Sequence, residues 1–262
     1  MLIYKIVVHR EQVFDADAQA EAFDLLLGSY RLDGHILGGE LMTIAREQRF
    51  ECYAFIPAHD AFDPKLTGEW VHKRLEGLHS VHLSFPELIE IGCDPSEGEG
   101  CTCSEPPSLI LFTTYLRIQS PVRCGGCFHS VPLYRLPRFK SGEHSEAITW
   151  ADDYKACDSL FMNSGAGERF GYRQMSMLTS GLSQQGLRIC THYEQGTGKA
   201  AYYYLHRYYG RSVKREKERR CPGCGGEWRL ATRWHDFFDF RCDKCRLVSC
   251  YSSAICQVQD TP

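Results

Sequence analysis

The chain has 262 residues, of which 43% are hydrophobic and 24% are charged. This composition is ordinary for a globular protein and argues against intrinsic disorder and against a coiled coil. No apolar run approaches the roughly 20 residues that a bilayer-spanning helix needs. The first ten residues carry a lysine inside their apolar stretch, so they predict a strand and not a secretion signal. We therefore expect a cytoplasmic protein with no membrane partner.

The net charge of −3 conceals an uneven distribution along the chain. Residues 199–262 contain 13 basic and 7 acidic side chains, whereas residues 1–198 contain 17 basic and 26 acidic side chains. A basic tail is suited to phosphate or to an acidic protein surface. An acidic body would repel nucleic acid that wrapped around it.

Hydrophobic periodicity over the first 95 residues predicts an α+β domain. The expected elements are a strand over 1–10, a helix over 15–28, a strand over 50–56, a helix over 63–78 and a strand over 88–91. An acidic loop with glycine and serine follows, and we assign residues 96–142 to a ribbon-like cysteine segment.

The second half of the chain predicts further mixed structure. A strand is expected over 109–116, helices over 144–162 and 168–182 with Gly186 as the stop, and a β-hairpin from 189–193 and 201–205. We assign 143–210 to a helical and hairpin segment that packs on the body. Residues 211–262 form the C-terminal ribbon, which a charged connector over 211–220 introduces.

Fourteen cysteines are unusual for a chain without an export signal, because a reducing cytosol disfavours disulfides. Metal ligation is the natural alternative role. Four scattered cysteines, Cys52, Cys157, Cys190 and Cys256, are interpreted as small buried hydrophobic residues.

The strongest motif pairs Cys221 and Cys224 with Cys242 and Cys245, 17 residues further along. Two residues between cysteines allow a tight turn to direct both thiolates at one ion, and residues 228–241 can fold as a hairpin that returns the second pair. This spacing predicts a zinc ribbon, and the alternative is a redox Cys-x-x-Cys pair. Four thiolates leave no open coordination position, so the predicted zinc ion is structural.

A second set of four thiols brackets the predicted strand at 109–116. It comprises Cys101, Cys103, Cys124 and Cys127, and its first pair is one residue tighter than usual. We predict a second, ribbon-like zinc site with Cys93 as a substitute ligand. The alternative is a degenerate or partly filled site.

The sequence carries no motif of a metalloprotease, a serine hydrolase, a zinc deaminase or a phosphate-binding loop. The eleven histidines are dispersed. The aromatic and basic residues 202–209 and 214–220 could stack bases and hold phosphates, but a half-buried strand followed by a solvated linker is the favoured interpretation. We therefore predict a binding protein and not an enzyme.

Several stretches carry a family resemblance, namely residues 120–127, 131–137, 167–170, 197–198 with 202–205, and 220–224 through 240–247. Through them the C-terminal half resembles a bacterial family of zinc-ribbon-containing proteins of otherwise unknown function, to which nucleic-acid binding has been ascribed. Through some relatives, the resemblance also implies an immunity protein that silences a nuclease-type toxin delivered by a type VI secretion system. An acidic body suits that role, because such toxins present basic grooves.

Three hypotheses about the partner follow. The first is an immunity protein that docks on a toxin through acidic residues such as Glu97, Glu99, Asp152 or Asp153. The second is a nucleic-acid-binding protein, and its candidate residues are Arg215, Lys217, Arg219, Arg220, Arg229, Trp234 and Arg246. The third is a redox or metal sensor, which requires a labile site.

Overall fold

A computed structural model describes residues 1–96, 98 and 100–255 of the chain, and its fold is α+β as the sequence predicts. The chain divides into two compact units. Unit 1 comprises Met1–Thr102, Arg117–Ser120 and His129–Ile148, and unit 2 comprises Cys103–Leu116, Pro121–Phe128 and Thr149–Pro262. Of the residues singled out above, Glu97, Glu99 and Cys256 lie outside the described part of the chain. Within the described residues, no helix is both long and apolar enough to cross a membrane.

Unit 1 is built on a four-stranded antiparallel sheet in the order β2-β3-β1-β4. Its strands are β1 (Leu2–His9), β2 (Leu37–Ala45), β3 (Arg49–Ile56) and β4 (Glu87–Cys93), and its helices are α1 (Ala16–Leu32) and α2 (Glu69–Gly77). Asp15 caps α1 by accepting the backbone N–H groups of Asp17 and Ala18. This β-α-β-β-α-β order is that of ferredoxin-like folds.

Strand alternation gives this sheet two different faces. On one face, Ile6 and Val8 of β1 join Phe23 and Leu26 of α1 in a single buried cluster. Burial of each of these side chains contributes about 1.5–3 kcal/mol relative to exposure. The covered face therefore accounts for most of the hydrophobic stabilisation of unit 1.

The opposite face of the sheet is partly exposed, since Val7 and Glu51 on it are buried whereas other side chains are accessible. Lys5, Met42 and Tyr53 are paired in register across β1, β3 and β2, so they share this face. Met42 is 68% exposed and Tyr53 is 37% exposed. Beside them the buried carboxylate of Glu51 lies 3.2 Å from Lys5 and 2.6 Å from Arg49. The result is an apolar, partly uncovered surface with an internally compensated charge cluster.

Unit 2 is built on a six-stranded sheet in the order β6-β5-β7-β10-β9-β8. The strands are β5 (Leu109–Leu111), β6 (Val122–Cys124), β7 (Ala201–Tyr204), β8 (Arg229–Trp234), β9 (Phe238–Cys242) and β10 (Leu247–Ser249). The central strand β7 runs parallel to β5 and β10, whereas the outer pairs are antiparallel. Most of α3 (Ser145–Asn163), together with α4 (Glu168–Ser176), α5 (Gly181–Thr197) and α6 (Val213–Lys217), completes the unit.

The hairpin predicted from 189–193 and 201–205 is wrong. Its first half belongs to helix α5, which continues through Gly186, and its second half is β7. A Cβ on Gly186 would lie 2.2 Å from the Tyr203 ring and 2.9 Å from the Trp150 indole nitrogen. Glycine therefore permits close packing of the helix on the sheet here and does not end the helix.

Other elements differ from the prediction mainly in length. Helix α2 begins at Glu69, six residues later than expected, β5 ends at Leu111, and α4 ends at Ser176. Strand β2 was not predicted. The expected first strand, the helices α1 and α3, and the hairpin within residues 228–241 are confirmed.

Candidate metal centres

The chain brings its cysteines together in two groups of four. The mid-chain centre comprises Cys101, Cys103, Cys124 and Cys127, and the C-terminal centre comprises Cys221, Cys224, Cys242 and Cys245. Within each group the four sulfur atoms all lie within 4.8 Å of one another. Each group could therefore hold one metal ion, and these are the two sets that the cysteine spacing singles out.

Two turns and the end of one strand build the C-terminal centre. Cys221 and Cys224 lie in the loop before β8, and Cys242 is the last residue of β9. The N–H of Cys221 donates to the Gly226 carbonyl at 2.9 Å, and the N–H of Gly225 donates to the Cys221 carbonyl at 2.8 Å. These bonds close a tight loop that directs both thiols of the first pair to the same side.

A left-handed residue follows the second cysteine of each Cys-x-x-Cys segment. These residues are Phe128, Gly225 and Arg246, with φ of 63°, 70° and 52°. The N–H of Phe128 donates to the Cys124 carbonyl at 2.8 Å, which matches the bond from Gly225 to Cys221. Left-handed backbone is unfavourable for a non-glycine residue. That phenylalanine and arginine adopt it indicates that the surrounding structure imposes the same turn at all three places.

The thiols of the C-terminal centre differ in acidity. A hydrogen bond from the Gly226 N–H, followed by contacts with the Cys245 and Cys242 thiols, lowers the pKa of Cys224 to about 7. Burial raises the pKa of Cys245 to about 12 and also raises the pKa of Cys242. Without a cation, therefore, the Cys224 thiol loses its proton before the Cys242 and Cys245 thiols. Metal binding requires thiolates, so it must displace the protons of Cys242 and Cys245.

The mid-chain centre rests on β6 and on the turn that follows it. Cys124 ends β6, where it is paired with Leu109, and the N–H of Gly126 lies 3.3 Å from the Cys124 sulfur. The N–H of Cys101 donates to the Ser130 carbonyl at 2.8 Å. Cys93 is not a member of the group, and it ends β4 opposite Leu2.

Of the remaining described cysteines, Cys93 is exposed and the others are packing residues. Cys52, Cys157 and Cys190 are buried, as the sequence analysis expects for small hydrophobic side chains. Burial raises the pKa of Cys52 to about 11 and the pKa of Cys250 to about 12. A thiol with a raised pKa stays protonated at neutral pH and is a poor nucleophile, and among the described residues neither Cys52 nor Cys250 belongs to a group that could hold a metal ion.

The residues assigned from sequence to a nucleic-acid interface differ in their exposure and in their contacts. Arg219 lies with its guanidinium 4.2 Å from the Phe240 ring centre and donates to the Cys250 carbonyl at 2.7 Å. Arg246 is paired with Glu194, and Arg220 is paired with Glu227. Arg215, Lys217 and Arg229 are exposed, whereas the Trp234 side chain packs against Tyr202.

The acidic candidates are only partly described. Asp152 and Asp153 are exposed neighbours on α3, and the Asp152 carboxylate lies 4.0 Å from Lys155. The partly exposed apolar face of unit 1 was not predicted from the sequence. The alternation of β3 could have indicated it, because Tyr53 lies on the other face of the sheet from the buried residues Cys52 and Ala54.

Comparison with known proteins places the chain in a family. Three family descriptions, each that of a domain of unknown function, match in succession: DUF8589 over residues 1–92, DUF2310 over 103–206 and DUF8594 over 210–255. An uncharacterized protein of Haemophilus influenzae is 31% identical over 237 residues, which cover 89% of this chain and 91% of the relative. Another uncharacterized protein of that species is 36% identical over 159 residues, 61% of this chain and 78% of the relative. The chain therefore belongs to the same family as the first of these uncharacterized Haemophilus influenzae proteins, its central part matches the DUF2310 description, and its two four-cysteine centres could each hold a metal ion.

Proposed function

We propose that the protein is a non-enzymatic binding protein in which both four-cysteine centres hold zinc for structural reasons. Four thiolates about 2.3 Å from one zinc ion lie roughly 3.8 Å apart in a tetrahedron. The Cys224 and Cys242 sulfurs are 3.7 Å apart, which fits that arrangement. A set of four thiolates also leaves no ligand position for water, so the metal has no place at which to activate a substrate.

Elemental analysis of the gently purified protein tests this assignment. We expect about two zinc ions per chain, one for each set of four thiolates. Replacement of zinc by cobalt(II) should give the absorption of tetrahedral thiolate coordination at both centres. Iron in place of zinc, or disulfides within either group, would contradict the proposal.

The favoured partner is a protein with a basic surface, and the favoured role is that of a cytoplasmic immunity protein that silences a nuclease-type toxin delivered by a type VI secretion system. Two features of unit 1 support this choice. Its residues include 12 basic and 20 acidic side chains. The partly exposed face of its sheet presents Met42 and Tyr53 to solvent. An apolar centre within an acidic surface is complementary to the basic groove of a nuclease.

Co-purification with a nuclease encoded beside the gene tests this role. We expect a stoichiometric complex that weakens as salt concentration rises, since opposite charges drive the association. Met42→Ala and Tyr53→Ala should weaken it. The matched control is Val13→Ala, because Val13 is fully exposed outside the sheet. Equal affinity of all three variants would place the interface elsewhere.

Nucleic-acid binding is the second candidate, and a groove in unit 2 favours it. Unit 2 has 18 basic and 13 acidic side chains. At the junction of α4 and α5 a cavity of about 380 Å³ is lined by Arg169, Phe170, Arg173 and Met177, among others. Phe170 is 59% exposed. Exposed aromatic rings and arginines are the groups that stack bases and hold phosphates.

Binding of a single-stranded oligonucleotide tests this second candidate. If the groove is used, Arg169→Ala with Arg173→Ala should lower the slope of log affinity against log salt by about 1.4, roughly 0.7 for each arginine that no longer neutralises a phosphate. Arg188→Ala is the control, because Arg188 is an exposed arginine on α5 that does not line the groove. No measurable binding at low salt would remove this candidate.

A further inference from the structure

The tip of the β8–β9 hairpin contacts the turn of the mid-chain centre. The Trp234 indole N–H donates to the Gly125 carbonyl at 3.1 Å, and Nε2 of His235 lies 3.0 Å from the same oxygen. A carbonyl only accepts hydrogen bonds, so His235 carries a proton on Nε2. The His235 ring also stacks on Phe128, with centres 5.1 Å apart and planes 15° apart.

These contacts fix a peptide between two metal ligands. Gly125 follows Cys124 directly, and its N–H donates to the Ser108 carbonyl at 2.7 Å. The Gly125 residue is thus held through its N–H by one loop and through its carbonyl by the hairpin tip. The tip itself is unusual, because His235 and Asp236 both have left-handed backbone, with φ of 55° and 54°. Surrounding contacts must hold such a turn in place.

The other end of the same hairpin belongs to the C-terminal centre. Cys242 is the last residue of β9, and Cys224 lies five residues before β8 begins at Arg229. The Arg241 N–H donates to the Trp228 carbonyl at 2.7 Å and closes the base of the hairpin. The hairpin therefore has a metal centre at its base and the turn of another at its tip.

We infer that Trp234 and His235 are positioning residues for the mid-chain centre, and that through them the filling of the two centres is coupled. This inference rests on the proposed structural zinc. An empty C-terminal centre removes one of the anchors at the base of the hairpin, and the tip is then held less firmly against Gly125. Coupling of this kind is reciprocal, so each centre must change the affinity of the other by the same factor.

Zinc release from the full-length, zinc-loaded protein to a chromogenic chelator tests the positioning role. Trp234→Phe retains an aromatic ring but loses the N–H, and His235→Ala removes the other donor. Together they should speed release of one of the two zinc ions at least fivefold, the lower end of usual coupling. Trp234→Phe with His235→Asn retains a hydrogen-bond donor at position 235 and should release zinc more slowly than Trp234→Phe with His235→Ala. The accelerated phase should be absent when Cys124→Ser has already emptied the mid-chain centre.

The matched control is Trp150→Phe. The Trp150 indole donates to the Leu182 carbonyl at 3.2 Å, and Trp150 lies on α3, outside the hairpin. This variant should leave release from the mid-chain centre unchanged. If it accelerates release as much as Trp234→Phe with His235→Ala does, the effect is general loosening and the positioning role is overturned.

Equilibrium competition for zinc tests the coupling. Cys245→Ser should weaken the mid-chain centre, and Cys127→Ser should weaken the C-terminal centre by the same factor. In the Trp234→Phe, His235→Ala background both factors should fall toward one. In each serine variant, cobalt(II) absorption reports whether the intact four-cysteine centre retains tetrahedral thiolate ligation. Two zinc ions with independent affinities would overturn the coupling alone, whereas a wild-type protein without zinc would overturn the proposed function as well.

Discussion

Arg246 and Glu194 form a two-pronged ion pair. Nε of Arg246 lies 2.9 Å from one Glu194 carboxylate oxygen and 3.1 Å from the other, and Nη2 lies 2.8 Å from the latter oxygen. The guanidinium lowers the pKa of Glu194, and the carboxylate raises the pKa of Arg246. Because Arg246 follows Cys245 directly, the pair ties the last turn of the C-terminal centre to helix α5.

A double-mutant cycle measures the strength of this tie. Arg246→Ala and Glu194→Ala should show a coupling free energy of up to about 1 kcal/mol, since both side chains are roughly one-third exposed. Urea denaturation of the zinc-loaded protein gives the four free energies of unfolding. The pair Arg220 and Glu227 is the control, with side chains 58% and 85% exposed. Its cycle should give a coupling near zero, and equal values for the two pairs would contradict the assignment.

Arg246 also allows a test of the left-handed turn. Arg246→Gly and Arg246→Ala both lose the ion pair, but glycine adopts φ of 52° without the steric strain that alanine would suffer. The glycine variant should therefore be more stable than the alanine variant by about 1 kcal/mol. At Arg229, which lies in strand β8, the order should reverse. The same order at both positions in denaturation experiments would show that the turn is not imposed.

Removal of one ligand should unfold the ribbon selectively. With Cys221→Ser, residues 221–249 lose a thiolate of the C-terminal centre, and zinc binding supplies folding free energy on the order of 10 kcal/mol to such small modules. We expect rapid proteolysis within these residues, while unit 1 stays resistant. Cys190→Ser, at a buried cysteine outside both centres, should leave the zinc content unchanged. A ribbon that stays protease-resistant after Cys221→Ser would disprove the structural role of the metal.

His206 makes the stability of unit 2 depend on pH. Burial beside the Phe161 and Tyr172 rings lowers the pKa of His206 to about 4. The unfolded chain, with a pKa near 6.5, then binds the proton more readily. Stability is therefore present above pH 6.5 and is lost as pH falls toward 4. Between pH 7.5 and 5.5 this residue alone should cost about 1 kcal/mol.

Comparison of the wild-type protein with His206→Phe isolates the contribution of His206 to the pH dependence. Zinc is kept in excess, so that any loss of metal at low pH affects both proteins alike. Denaturation midpoints of the variant should vary less with pH over the same window. His59 has a side chain that is 74% exposed, so His59→Asn should keep the wild-type dependence. If His206→Phe leaves the pH dependence unaltered, the buried neutral imidazole is not its source.

In unit 1 the buried carboxylate of Asp33 stabilises the fold through its contacts with His35 and Arg138. Burial by itself would raise the pKa of Asp33, but hydrogen bonds from His35 at 2.8 Å and from Arg138 at 2.5 Å lower it to about 2. Asp33→Asn leaves Arg138 without its carboxylate partner and should destabilise unit 1 by about 3–5 kcal/mol. Glu69→Gln, in an exposed pair with Lys73, should change the unfolding free energy by less than about 0.5 kcal/mol. Urea denaturation at neutral pH distinguishes the two.

The sequence by itself determined the tight turns and the periodic helices, because these depend on residues that are close together along the chain. Three Cys-x-x-Cys pairs and one Cys-x-Cys pair are sufficient to select the two thiol groups, because a tight turn is a property of a few consecutive residues. Helical periodicity similarly predicts α1 and α3. The interval 189–193 was misassigned because its β-branched and aromatic residues favour a strand locally, whereas the helix that forms there is stabilised by packing across Gly186 against Tyr203.

Only the tertiary structure decided which side chains are exposed for binding a partner and which contacts hold the two metal centres. Arg219 was assigned from the sequence to a basic surface, but the Phe240 ring and the Cys250 carbonyl contact its guanidinium. Trp234 looked like a base-stacking residue, but its N–H reaches a carbonyl 109 positions earlier in the chain. Contacts between such distant positions depend on how whole strands pack, and no short-range pattern encodes that packing.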